Sequence, residues 1–591
     1  MAETQTKTES ISNIFKKGRI FSIPHYQRDY AWQASNFDDL WEDLKEAHGN
    51  KDSQEHFLGT IVLAPNPQDS NILDIIDGQQ RSTTLFLLRY ALYRRAGLLE
   101  SNKELFFKDG EPTLKVAPSN RDFFRKIIDE INANEGQGLN TEFEKEAQLQ
   151  GQQNLFEVSQ AISNQISDFS PERAREYLDT LNKMTMLELT EADSGKAIRL
   201  FQAVNDRGVS LSIPDKLKSL LILHSNKYCK GALDQEINER FGELFRIIKK
   251  ISSSKAASSI ADNNFDKKIE ERIFFYHALS KEFGDYKTGA DKNYLNLKNR
   301  LKDKVKPENR HELKEWLKDY TNDFLAFTQT FLTLIEEESK SNMEVFKLFF
   351  VLKINTYFYP TLVRLKMNNI LDDECLRLIG QADIVFYRLG SDHDAKAANL
   401  YKVAHSKEAL KEKLKKDFEE CATKRATHLR VSLQNRVYHA YGNRAREGEA
   451  FYYLFFTRHH EKINLAACWA FFDKNKKHKT FANGAITREH IVPKNTAETN
   501  SLDKYKFETK EEFDRLVNSF GNLLPLEAHL NSKAKDHSLS DKKEAYRQSV
   551  IRYNQDFAVS EAFDKFDKEQ IEARNKEILQ WLTEDFFKDF I

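Results

Sequence analysis

The stretch ILDIIDGQQRSTTLFLL, Ile72–Leu88, decides how the first part of the chain folds. The apolar run Ile72–Asp77 reads as a strand, Gly78 as a break, and the Leu- and Phe-rich residues from Gln79 onward as a helix. A strand–Gly–helix junction turns unpaired backbone N–H groups outward and makes an anion site, here with Arg81 and the hydroxyls of Ser82 to Thr84 in the first helical turn. Phosphate binding is the chemistry that this junction suits. No G-x-x-x-x-G-K-[ST] occurs in the chain, so an ordinary P-loop NTPase is excluded. Further strand-like runs at Arg19–Pro24, Phe57–Ala64 and Met184–Leu189 alternate with helical patterns, and residues 1–230 therefore read as an α/β domain.

Helical spacing dominates beyond that point. Residues 231–430 are rich in Lys and Glu, with apolar stripes such as Phe346, Phe349, Phe350, Lys353 and Tyr357, and read as a helical spacer domain. The small polar residues of Ile251–Asn264 interrupt it as a loop. Residues 431–591 open on the aromatic run Phe451–Thr457 and close in amphipathic helices such as Gln570–Phe586. With 21 Gly and 11 Pro in 591 residues, the chain lacks the turn residues of an all-β fold. The expected class is mixed and mainly α, with an N-terminal α/β domain. The 90 Lys+Arg against 91 Asp+Glu leave a net charge of −1, so any contact with nucleic acid must come from a local basic surface. Cys229, Cys375, Cys421 and Cys468 are scattered without a C-x-x-C pair, which suggests neither a disulfide framework nor a cysteine zinc site and fits a reducing cytoplasm. The longest apolar stretch, Ile354–Val363, is too short to span a bilayer, and Met1–Ser10 lacks the apolar core of a signal peptide.

The richest polar chemistry lies near the C-terminus. Glu489-His490 ends a short apolar stretch, Ile486–Val492, closed by Pro493; Gly521-Asn522-Leu523-Leu524 follows, and Asn531 lies nine residues beyond Asn522. Phosphodiester hydrolysis needs a base to activate water and a cation to neutralise the departing oxygen. Glu489 and the amide oxygen of Asn531 are the oxygen ligands that Mg²⁺ or Mn²⁺ prefers. Lysines flank the motif, Lys474, Lys476, Lys477 and Lys479 before it and Lys533, Lys535, Lys542 and Lys543 after it. Such clusters are usually solvated faces, but beside this motif they suit a DNA backbone. The segments REHIVP and FGNLLPL with the later asparagine resemble the HNH (ββα-metal) nucleases, and more narrowly the zinc-free HNH domain of GmrSD-type restriction enzymes. That resemblance implies a β-hairpin followed by a helix, with His490 as general base, Glu489 and Asn531 as metal ligands, and Asn522 fixing the hairpin loop. The family more often has Asp before the histidine; Glu489 is one methylene longer, and His529 and His537 are nearby alternative ligands.

Three N-terminal segments, IPHYQRDYAW (Ile23–Trp32), HFLGTIVL (His56–Leu63) and the DGQQR of Asp77–Arg81, resemble the ParB-like N-terminal domain of the same enzymes. A fourth, FQAVNDRGVSLSIPDKLKS (Phe201–Ser219), is similar to a later segment of that family and points to Asn205, Arg207, Gly208, Asp215 and Lys218. The resemblance implies a module that binds and hydrolyses an NTP, whether GTP, ATP or CTP. Arg81 and Lys218 would contact phosphates, and Asp77 would either orient a water or hold Mg²⁺, with Gly78, Gln79 and Gln80 completing the motif. In phosphorothioation-sensing relatives of the SspE kind, the region of Tyr26, Gln27, Arg28, Tyr30 and Trp32 and the DGQQR arginine are associated with reading modified DNA, and aromatic stacking suits that use. The competing reading packs Tyr30 and Trp32 in the core and pairs Arg28 with Asp29 or Asp77.

Taken together, the motifs imply a type IV-like restriction enzyme, SspE-like or BrxU-like: an NTP-regulated, metal-dependent endonuclease that cuts or nicks modified foreign double-stranded DNA. A homodimer would bring two active sites to one duplex. The alternatives are a modification-sensing NTPase with an inactive nuclease domain, and a nuclease acting on unmodified DNA or RNA.

Overall fold

The computed structural model describes the chain except residues 1–4, 25, 26, 28, 50–55, 67, 136–137, 191–211, 255, 257–268, 307–308, 310–311, 390–392, 424–428, 439–444, 475–485 and 500. The chain folds as two compact units, Met1–Ile247 with Leu297–Leu325, and Ile248–Asn296 with Ala326–Ile591. It is mainly helical, and the N-terminal part is α/β.

The N-terminal strands are β1 (Gln5–Ser10), β2 (Ile20–Ser22), β3 (Phe57–Pro65), β4 (Ile72–Asp77), a short hairpin of β5 (Phe107–Lys108) and β6 (Glu111–Pro112), β7 (Leu114–Lys115) and β8 (Thr185–Thr190). Six of them form one mixed sheet in the order β1-β8-β3-β4-β2-β7. β4 pairs antiparallel to β3 and parallel to β2, and so lies in the sheet interior. The apolar run that marks it in the sequence is what an interior strand needs.

From β4 the chain enters the Gln79–Arg95 helix through Gly78, whose φ of +88° is left-handed and whose Cβ, if it had one, would come 3.0 Å from the Thr60 carbonyl oxygen. Only glycine meets both conditions without strain. Every residue of the helix from Ser82 to Tyr93 is buried, a pattern expected when a helix is covered on all sides. The helices Arg121–Ala133, Gln150–Ile166 and Pro171–Lys183 pack on it, and its side chains share one core with Phe21, Ile61, Leu63, Ile75 and Met186 of the sheet. Even Arg89 is enclosed, with Nε donating to Asn182 Oδ1 at 3.1 Å and the guanidinium over Phe15, Tyr93 and Phe106.

In the second unit Phe346, Phe349 and Phe350 are buried, and Trp469 wedges against Phe346 and Phe350 while donating from Nε1 to the Ser339 carbonyl at 2.7 Å. Near the C-terminus, β9 (Ile486–His490) and β10 (Leu523–Glu527) form an antiparallel ribbon in which Leu523 faces His490 and Leu524 faces Glu489. The Ala528–Ala534 helix begins directly after β10. Asn575, on the Lys568–Trp581 helix, holds the turn before β10 by accepting from the Gly521 N–H (2.7 Å) and donating to Ser519 Oγ (2.8 Å). Among the described residues no helix is long and apolar enough to cross a membrane.

One ion pair ties β8 to the segment entering β2. Arg19 grips Glu188 with two parallel N–H···O bonds of 2.8 Å, and both side chains are largely buried. Burial alone would raise the Glu188 carboxyl, but hydrogen bonding and charge from Arg19 outweigh it and hold the group below its ordinary value. A carboxyl depressed in the fold contributes stability above its unfolded pKa and loses it as pH falls through the folded value. Arg19→Met should therefore destabilise the protein by roughly 1.5–3 kcal/mol near neutral pH. Urea titrations at several pH values should show the gap between variant and wild type closing as the pH falls below about 4.

Candidate functional site

Side chains alternate along a strand, so neighbours on β9 serve opposite faces. Thr487 and Glu489 turn toward the helices that follow the ribbon. Asn531 donates from Nδ2 to Thr487 Oγ1 (2.7 Å) and to the Arg488 carbonyl (3.2 Å). Glu489 Oε1 accepts from Lys542 Nζ at 2.7 Å and from the Tyr546 hydroxyl at 3.0 Å, both on the Leu539–Arg547 helix. The Lys542 side chain is fully buried, and its ammonium also donates to the carbonyl oxygens of His490 (2.5 Å) and Ile491 (3.4 Å). Burial pushes Glu489 above the ordinary carboxylate value and Lys542 below the ordinary ammonium value, each partly offset by the other's charge.

His490 makes a separate set of contacts. Its Nε2 lies 3.0 Å from Asn518 Oδ1; in the tautomer that protonates Nε2 the ring donates to that oxygen and Nδ1 is the basic nitrogen. Burial, reinforced by the positive charges of Lys494, Lys542 and Arg488, pushes the imidazole down to about 3 against a smaller opposing effect of Asn518. The ring is therefore neutral at physiological pH, the state a general base requires. Asn522 is fully buried and bridges three backbone groups: Oδ1 accepts from the Val492 N–H at 2.8 Å, and Nδ2 donates to the carbonyls of Val492 (3.1 Å) and Val517 (2.8 Å).

This placement bears on the expected metal. Glu489 and Asn531 share the helical side of β9, yet the carboxylate already has a cation, the Lys542 ammonium, on Oε1 together with the Tyr546 hydroxyl. Among the described residues no three His, Cys, Asp or Glu side chains gather into a set able to hold a metal ion, and His529 and His537 are exposed. A divalent ion on Glu489 does not fit this donor set. Lys542 is the residue whose role the sequence hides, since it stands among lysines that suit a DNA backbone and is instead internal. The signal available was the i, i+4 spacing of Lys542 and Tyr546 on one helical stripe.

In the N-terminal unit the DGQQR residues divide. Gln80 is buried and structural: Oε1 accepts from the backbone N–H groups of Ala31 (2.7 Å) and Trp32 (3.3 Å), and Nε2 donates to the Asp29 carbonyl (3.0 Å). Gln27 likewise donates to the Ile76 carbonyl of β4 at 2.6 Å. Gln79 is also buried. Tyr30 is a core residue, its hydroxyl 2.6 Å from Thr84 Oγ1, and Trp32 packs partly buried against the same core. The hydroxyls of Thr83 and Thr84 donate to the carbonyls of Gln79 and Gln80, and Ser82 is fully buried, so the first turn offers its backbone and Arg81 to an anion rather than these hydroxyls. The Arg81 guanidinium lies against Gly59 of β3, where a Cβ would come within 2.6 Å of Nη1. Burial disfavours its charge, while Asp77 and Asp43 favour it. On the Ile213–Cys229 helix, capped by Ser212 through the Asp215 N–H, Lys218 is fully buried and its ammonium has no hydrogen-bond partner among the described residues. Tyr26, Arg28, Asn205, Arg207 and Gly208 lie outside the described residues.

Asn522→Ala should cost roughly 2–4 kcal/mol, because it strands two carbonyls and one N–H in a dry interior. Urea unfolding of the full chain measures this, and a loss under 1 kcal/mol would show that the bridge carries little of the ribbon's stability.

The chain was compared with known proteins. It matches the N-terminal domain of the GmrSD restriction endonucleases over residues 11–222 and their C-terminal domain over residues 409–581. No curated protein matches it. The two matches follow one another in order and together span more than half of the chain, with the DGQQR junction in the first and the His490 ribbon in the second; the protein belongs to the GmrSD family of restriction endonucleases.

Proposed function

We propose that this restriction endonuclease is a nucleotide-regulated HNH-type nuclease that cuts or nicks modified foreign DNA with His490 as its general base. The observation that carries the reading is a neutral, buried imidazole at the end of a two-stranded ribbon followed by a helix, the order that the HNH resemblance implies. Nδ1 takes a proton from water as the water oxygen bonds to phosphorus and a P–O ester bond breaks, its electron pair leaving with the departing oxygen. A ring held near 3 is a weak base in the free protein. A phosphodiester docked beside it adds negative charge that favours the imidazolium and raises its basicity when substrate is in place. His490→Ala should lower kcat by roughly 10²–10⁴. A variant that cleaves at the wild-type rate removes His490 from the mechanism.

The N-terminal reading rests on Lys218. A buried ammonium without a partner is costly, and a phosphate would satisfy it, with Arg81 and the uncapped start of the Gln79–Arg95 helix as further anion donors. Lys218→Met should weaken binding of GTP, ATP or CTP, whichever the protein takes, by at least tenfold in calorimetric titrations; undiminished binding would exclude Lys218 from the nucleotide site. One second reading draws on a specific observation: Glu489 held by Lys542 suits a sensor whose nuclease domain is inactive. Plasmids carrying glucosylated hydroxymethylcytosine, phosphorothioate linkages, methylcytosine or no modification, offered with and without each NTP, separate the two. Binding without any cleavage favours the sensor.

A further inference from the structure

Lys542 is the most deeply buried charged group near the candidate catalytic histidine, and the HNH reading gives it no role. Its side chain is fully buried, as is nearly all of the Glu489 side chain, and its three donors are used on Glu489 Oε1 at 2.7 Å, the His490 carbonyl at 2.5 Å and the Ile491 carbonyl at 3.4 Å. Tyr546, one helical turn further on, adds a second donor to the same carboxylate oxygen at 3.0 Å. A lone buried carboxylate is so unfavourable that it must hold a proton, a metal ion or a fixed cation, and here the fixed cation is present.

Resting on the nuclease reading above, we propose that Lys542 is the resident cation of Glu489: it ties that carboxylate to the His490 carbonyl, fixes the end of β9 and so aims the imidazole. Glu489 is then a positioning residue and not a metal ligand. The geometry explains how one backbone stretch serves two tasks. The Glu489 side chain and the His490 carbonyl converge on one ammonium, while the His490 ring turns its Nε2 to Asn518. The carbonyl contact matters most, because it constrains the peptide that carries the ring without touching the ring.

The test is a double-mutant cycle on the full-length chain with Glu489→Gln, Lys542→Met and the double variant. Three readouts are taken: thermal unfolding, Mn²⁺ binding followed by electron paramagnetic resonance, and kcat and KM for DNA cleavage. Lys542→Met, which strands a buried carboxylate, should lower the unfolding temperature by roughly 5–10 °C. The double variant, which strands neither charge, should regain at least half of that loss. Lys542→Met should lower kcat about tenfold or more with KM within twofold of wild type, and Lys542→Arg should restore part of kcat. Mn²⁺ affinity should stay within about twofold in Glu489→Gln. Strictly additive unfolding shifts would show that the two groups are not a pair. A tenfold loss of Mn²⁺ affinity in Glu489→Gln, or a gain in Lys542→Met, would make Glu489 a metal ligand, and a wild-type kcat in Lys542→Met would end the positioning role. If the wild type cuts no DNA, the nuclease reading and the aiming of His490 fall together, and the unfolding and Mn²⁺ measurements still decide whether Lys542 or a metal is the cation of Glu489.

Discussion

An ammonium and a carboxylate can be taken out of water together only when each completes the other's hydrogen bonds, since desolvation costs several kcal/mol per ion. The Lys542–Glu489 contact meets that condition, and the C-terminal ribbon is built around it. Once the Leu539–Arg547 helix brings Lys542 to zero exposure, Glu489 has no other acceptable position, and the carbonyls of His490 and Ile491 are drawn into the same set of bonds. The strand's alternation then sends the His490 ring away from this polar knot toward Asn518. Asn522 closes the structure from the other strand by holding Val492 at both its N–H and its carbonyl.

The N-terminal unit joins its segments through buried polar side chains as well. Gln80 and Gln27 use their amides to bind backbone, which joins the Asp29–Trp32 segment to the central helix and to β4. They build the junction, and Asp77 and Arg81 lie half-buried at its edge. Lys218 differs from Lys542, because its ammonium is as deeply buried but has no hydrogen-bond partner among the described residues. The contrast separates the two lysines chemically. One is satisfied within the fold, and on the proposed reading an anion supplies the partner of the other.

Some of this was legible in the residues and some was not, for reasons that can be named. The Ile72–Leu88 reading gave the strand, the break and the helix because each signal there is local: an apolar run, a glycine, then Leu and Phe at helical spacing. The strand runs at Arg19–Pro24, Phe57–Ala64 and Met184–Leu189 all hold strands, shifted by a residue or two at their ends. The roles of Ser82 to Thr84 were not local. An isolated first turn would present its hydroxyls to solvent, but the sheet and three helices cover this helix on every side. Tyr30 is likewise core because Thr84 lies opposite its hydroxyl, a contact between residues 54 apart. Lys542 is the clearest case. Within a lysine-rich segment nothing marks one lysine as internal, and its carboxylate partner is 53 residues earlier in the chain.

That relocation changes the electrostatics of the proposed nuclease face. Of the four lysines that follow the motif, Lys542 is neutralised by Glu489, and Lys543 is paired with Asp564 at 2.8 Å. Lys533 and Lys535 remain exposed. Each lysine that meets a phosphate adds both to affinity and to its dependence on salt, so withdrawing Lys542 into the interior and pairing Lys543 at the surface weakens binding to DNA of any sequence. A chain of net charge −1 has no bulk field to make up the difference. On the proposed reading, stable engagement of a duplex must then draw on contacts made elsewhere in the protein. On that reading the DGQQR unit, with the half-buried Arg81 at its edge, supplies them, so that cutting follows recognition instead of general attraction to polyanions.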